Sequence, residues 1–203
     1  MDADTGEATT HTIALMRAYT VFNVDQIDGL PDRYRPTPEP DTRQTHSLRI
    51  DRVDRFVTAT GAIIRIAGAR ACYVPSADRI DMPDAARFEG TATSTAAEAY
   101  CATLLHELVH WTAPTHRCDR ELGRRFGDLA YAREELVAEL GAAFLCADLG
   151  ITLEPRANHA AYIASWLTVL RNDKRAIFNA ASLAQKATDW LSAATDAVLR
   201  NAA

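Results

Sequence analysis

No run of about 18 consecutive apolar residues occurs anywhere in the 203-residue sequence, which excludes a membrane-spanning helix. Also missing is the basic start and apolar stretch of a secretion signal, since the chain opens MDADTGEATT, acidic and polar. Both absences point to a cytoplasmic protein with no membrane partner. Cysteine is scarce. The four present, Cys72, Cys101, Cys118 and Cys146, are widely spaced and form no C-x-x-C pair. Neither a disulfide framework nor a cysteine-bound zinc is expected from them, and Cys146, inside AAFLCADLG, reads as a small core residue. A large excess of one charge is lacking too: 27 Asp and Glu face 22 Lys and Arg, a net charge of −5. That is not the balance of a strongly basic nucleic-acid binder, and it is too slight for an acidic mimic of DNA. No internal repeat or low-complexity segment stands out.

What is present fits one generous soluble domain, with 48% hydrophobic and 24% charged residues. Residues 1–17 read as a disordered or linker tail, and 18–203 as the folded domain. AYTVFNV (18–24), aromatic and β-branched, reads as a strand, followed by a proline-rich extended loop. Residues 47–61 have helical apolar spacing, with Ser47 as N-cap and Gly61 as stop. AIIRIAG, RACYVP and DRIDMP predict three short strands of a small antiparallel sheet. From Thr95 onward the pattern is helical: one helix over about 95–112, a second over about 129–149 ending at Gly150, and two more after Pro155 and Asn172. Sheet first and helices after predicts an α+β fold.

The chemistry concentrates in LLHELVHWT, where His106, Glu107 and His110 form His-Glu-x-x-His. Histidines four apart project from one face of a helix, one turn apart, and can share a zinc ion. Glu107 leans over the adjacent side, where a carboxylate can take a proton from metal-activated water. The flanking leucines and Val109 suit a buried helix, in which an unsatisfied histidine pair would be costly. A zinc enzyme needs a third protein ligand and an open position. His116 has the spacing of a metzincin's third histidine, but Ala113 stands at the glycine position. Every methionine (Met1, Met16, Met82) lies upstream, so no Met-turn can follow. The other candidates lie in AREELVAELGAAFL, where Glu135 and Glu139 are four apart and share a face. One can bind the metal while the other accepts the free ring N–H of a ligating histidine. The pattern resembles that of gluzincins, which assigns Glu135 to the metal and Glu139 to its support. Small Ala138, Gly141 and Ala142 would let this helix pack closely on the first. No role falls to Glu134.

Taken together, VFNVDQIDGLP, YVPSADRIDMP, LLHELVHWT, AREELVAELGAAFLCADLGI and HAAYIASWLTVLRNDKRAIFNAASLAQKA resemble the metallopeptidase domain of ArdC-type antirestriction proteins, in that family's order from about residue 18 to 190. After HWT the chain carries Ala113 and Arg117-Cys118, where the family has Gly and an Arg-Leu pair. The resemblance implies a zincin-like fold with a small N-terminal sheet and a mostly helical C-terminal part. It also implies a zinc-dependent peptidase that helps mobile DNA escape host restriction. Its substrate would be a protein or peptide. Single-stranded DNA would be a partner through the family's N-terminal domain, which is expected to be missing here or reduced to its tail. The alternative is a zinc-stabilised binding module that docks a host defence protein or assists a DNA-binding partner.

Lesser candidates complete the reading. RACYVP or DRIDMP is the strand that would align extended substrate beside the metal. Tyr100 and Tyr131 are candidates to stabilise an oxyanion, although core packing explains them more simply. His159 is placed outside the cleft, and Arg171, Lys174 and Arg175, interrupted by Asp173, read as a solvated turn.

Overall fold

The computed structural model describes residues 19–34, 43–123, 129–151, 166–171 and 173–201. The chain divides into two compact units, one ending at Pro40 and one beginning at Asp41. In the first, the described residues hold two short 3-10 turns, Val24–Gln26 and Asp32–Tyr34. The strand expected over 18–24 is absent among its described residues. Its composition suits a strand, but among the described residues of this unit no neighbouring backbone supplies the ladder that a strand requires. The tail over 1–17 lies outside the described residues.

The second unit runs α1 (Arg43–Thr60), β1 (Ile63–Ile66), β2 (Cys72–Val74), β3 (Arg79–Met82), α2 (Ala96–Trp111), α3 (Leu129–Leu149), α4 (helical over 166–171) and α5 (Ala176–Asn201). This is the α+β order read from the sequence. Helix α1 begins a turn earlier than expected, so Ser47 lies inside it and does not cap it. Arg43 and Gln44 are good helix formers and let the helix extend backwards. At its other end Gly61 takes φ +73°, the left-handed stop that glycine permits.

The sheet is mixed rather than antiparallel throughout, in the order β1-β3-β2. β3 pairs parallel with β1 and antiparallel with β2. The 3-10 turn Pro75–Ala77 reverses the chain, and left-handed Asp78 closes it by donating its N–H to the Pro75 carbonyl. β3 takes the centre because it carries the apolar pair that the core needs. Ile80 and Met82 are fully buried, while Arg79 and Asp81 alternate to the other face, where Arg65 and Arg79 both bond Asp81. β2 is left at an edge.

Helix α2 is the hub. It packs against α1, α3, α5, β2 and β3, and every residue from Cys101 to Trp111 is buried. A helix apolar nearly all round belongs inside the molecule. α3 lies along it and α5 packs on α3, with Ala180, Ala184, Ala187 and Leu191 as α5's buried stripe. Among the described residues, no helix is long and apolar enough to cross a membrane.

Candidate metal centre

Thr95 and Glu98 start α2 with a reciprocal capping box. Glu98 N–H donates to Thr95 Oγ1 at 3.2 Å, and Thr95 N–H donates to Glu98 Oε2 at 2.9 Å. Three turns later His106, Glu107 and His110 sit in the dry middle of the core, each less than a tenth exposed. Buried polar groups of this kind are costly unless partnered. The partners of the two histidines come from α3, and that of Glu107 from the sheet.

Glu135 faces both imidazoles, one oxygen to each. His106 Nε2 lies 3.5 Å from Oε2, and His110 Nε2 lies 3.6 Å from Oε1. Ligand atoms of His106, His110 and Glu135 all fall within 4.8 Å of one another. The two rings meet edge to face, their centroids 4.8 Å apart. Behind them, each Nδ1 has its own carboxylate. His106 Nδ1 is 3.3 Å from Glu139 Oε1, an ion-pair distance without hydrogen-bond alignment, and His110 Nδ1 is 3.2 Å from Glu134 Oε1. Both Nε2 atoms are thereby left facing the third carboxylate. Two imidazoles and a carboxylate, backed in this way, are a donor set able to hold a divalent ion.

The charges respond accordingly. Burial opposes a proton on His110, but the carboxylates of Glu134 and Glu135 outweigh it and push its pKa up to about 10. Burial likewise raises Glu135, yet its close pairing with both histidines wins and holds it far below the ordinary range. Glu134 is also lowered: burial works against the shift, while His110 and Arg120 drive it.

Glu107 points to the sheet. The Tyr73 N–H, on edge strand β2, donates to Glu107 Oε2 at 2.8 Å. Of the two strands considered for the position beside the site, RACYVP therefore occupies it, and DRIDMP forms the sheet centre. The Tyr73 hydroxyl donates to Asp78 Oδ1 at 2.9 Å, and Arg117 bridges to both Asp78 oxygens while stacking over Trp111 at 4.0 Å. Edge strand and post-helix loop are thus tied together beside Glu107.

Other residues singled out in the sequence have surroundings of their own. His116 is exposed and does not join the cluster of His106, His110 and Glu135. Tyr100 packs edge-on against Phe88 at 5.2 Å, and Tyr131 lies against Gly123. Arg171, Lys174 and Arg175 are exposed, with Asp173 accepting from the Arg175 N–H at 2.9 Å. His159 lies outside the described residues. Two residues without a role in the sequence reading belong to the centre, Glu134 and Arg120. Glu134 stands about 100° around the helix from Glu135, which suggests a different face. It reaches the histidine's far nitrogen because the ring carries a nitrogen on each side. Its placement just ahead of apolar Leu136 and Val137 is the one hint in the sequence. Arg120 lies in a loop with no periodicity to read.

A model of the zincin-like metallopeptidase family matches residues 51–183, within the unit that begins at Asp41. The protein y4eC of Sinorhizobium fredii is 45% identical over 203 residues, which cover 98% of this chain and 62% of y4eC. DNA primase TraC of Escherichia coli is 43% identical over 173 residues, 85% of this chain but 15% of TraC. The chain thus spans less than two thirds of the curated relatives it matches. Crystal structures of the antirestriction ArdC protein from the R388 plasmid share the fold. The metal-free form has TM-score 0.60 and 43% identity, covering 88% of this chain and 60% of ArdC. The Mn(II)-bound form has TM-score 0.59 and 39% identity, covering 93% and 68%.

Proposed function

The chain belongs to the zincin-like metallopeptidase family, with the ArdC antirestriction proteins among its relatives, and we propose that it is a zinc-dependent peptidase serving antirestriction. The observation that carries this reading is the convergence of His106, His110 and Glu135 beside a buried Glu107. Zinc, when bound, supplies Lewis-acid polarisation of a peptide carbonyl and an acidified water. The residues of the chain do the rest. His106, His110 and Glu135 hold the ion, and Glu139 and Glu134 orient the two rings. Glu107 accepts a proton from water on one carboxylate oxygen and returns it to the leaving amine nitrogen. The Tyr73 amide fixes the direction of that carboxylate through Oε2. β2, an edge strand, offers backbone to an extended peptide, so the substrate class is an unfolded or extended segment of protein.

Glu107→Gln separates this reading from a zinc-stabilised docking module. The variant is expected to bind metal as the wild type does. It should lose the protection of incoming DNA in a restricting host, since removing a general base costs about 10²–10⁴-fold in rate. Full protection by Glu107→Gln would contradict the peptidase and favour docking.

A further inference from the structure

We infer that Arg120 is a positioning residue of the metal centre, fixing the carboxylate of Glu134 so that His110 presents Nε2 to the ion. The inference rests on the reading of His106, His110 and Glu135 as ligands.

Arg120 is reached by a compact loop after α2. Cys118 N–H donates to the Thr112 carbonyl at 2.9 Å and Arg120 N–H to the Ala113 carbonyl at 2.7 Å. Asp119, left-handed at φ +51°, turns the chain back under the end of α2. The guanidinium that arrives there is almost wholly buried, at 3% side-chain exposure, and so is Glu134. Each of its three nitrogens donates. Nε donates to Glu134 Oε2 at 3.0 Å, and Nη2 donates to Glu134 Oε1 at 2.8 Å. Nη1 donates to Thr112 Oγ1 at 2.8 Å, and Nη2 also to the Val109 carbonyl at 2.8 Å.

This geometry has a directional consequence. Glu134 Oε1 is shared between Arg120 Nη2 and His110 Nδ1. A carboxylate held by the histidine alone can swivel about its last torsion, which has a broad and soft profile. Two donors from one rigid fork set both the plane and the reach of that carboxylate. Nδ1 of His110 is then compelled to carry the proton as donor, and Nε2 keeps its lone pair for the ion. Simple stabilisation explains the pair poorly, because a buried ion pair is often no better than apolar residues of the same shape. Arg120 also offsets one of the four carboxylates gathered at this centre, Glu107, Glu134, Glu135 and Glu139. Two of its bonds anchor it to the end of the helix that carries both histidines, so α2 and the support from α3 are held in register.

The test measures zinc affinity of the full chain, stripped and titrated against a fluorescent chelator, together with its thermal midpoint. Arg120→Gln is expected to remain folded and to bind zinc about 10–100-fold more weakly, the usual effect of losing an outer partner of a ligand. Arg120→Lys, which keeps the charge and loses the fork, should fall between the two. Thr112→Val removes an anchor of the same guanidinium without touching Glu134. It should lower the midpoint yet leave zinc affinity within about twofold, because the carboxylate fork remains intact. Arg120→Gln binding zinc like the wild type would overturn the inference, as would Thr112→Val weakening zinc equally. If Arg120→Gln does not fold, Arg120→Lys decides: weakened binding supports the inference and unchanged binding overturns it. A wild type that binds no zinc would instead overturn the metal-centre reading, and this inference with it.

Discussion

Tyr73 meets the centre twice, through its backbone amide to Glu107 and through its phenol to Asp78. Burial, then the bond to Asp78, pushes the phenol from an ordinary value of 10 up to about 12. The unfolded chain gives up this proton near pH 10 and the folded chain keeps it to about 12. The stability it contributes is therefore fully present below pH 10 and is lost as pH rises through about 12. Tyr73→Phe keeps the ring and the amide, so it should drop the latest-titrating tyrosinate in an absorbance titration. Its thermal midpoint should fall less between pH 10 and 12 than that of the wild type, the window set by this linkage. An unchanged late titration would assign that component to another tyrosine. The same residue marks a limit of sequence reading. His106, His110 and Glu135 could be read from four-residue spacing, because helical geometry turns that spacing into a shared face. A contact from a strand amide to Glu107, or from Arg120 to Glu134, depends on tertiary placement and leaves no period in the sequence.

At the scale of elements, the centre exists because α2 and α3 approach closely. Gly141 of α3 faces Val109 of α2, and a Cβ at Gly141 would meet Val109 Cγ2 at 2.8 Å and Cγ1 at 3.0 Å. Valine is stiff at χ1 and cannot swing aside. Gly141→Ala should therefore lose stability, by about 1–3 kcal/mol as for other overpacked cores, although alanine is the better helix former. Urea denaturation checks this, and a gain in stability would show that the helices can part. Thr95→Ala removes the side-chain acceptor of the capping box and is expected to cost about 1 kcal/mol by the same measurement. The helices were legible because glycine stops and apolar stripes are local signals, whereas Ser47, read as the cap of α1, lies inside it. α3 was expected over 129–149 and spans Leu129–Leu149. The sheet was legible as three strands but not in its pairing, since β1 runs parallel to β3 through contacts that short turns do not announce. Among the described residues 19–24 no strand forms, and strand composition alone does not decide pairing.

At the scale of the molecule, the unit that begins at Asp41 is zincin-like and built around one buried helix. Its sheet edge and the proposed metal site adjoin at Glu107. The family could be reached from the sequence because its segments recur in order. The substrate could not, because β2 presents backbone, which any extended peptide can pair with. Everything proposed for this protein depends on the three ligands, so the most direct measurement is metal content per chain. It is made by plasma mass spectrometry on wild type and Glu135→Ala, purified without added metal and again after zinc is supplied. Near-stoichiometric zinc in the wild type and a clear loss in Glu135→Ala is the expected result. Equal zinc in both would contradict Glu135 as the third ligand, and none in either after supply would contradict the metal centre itself.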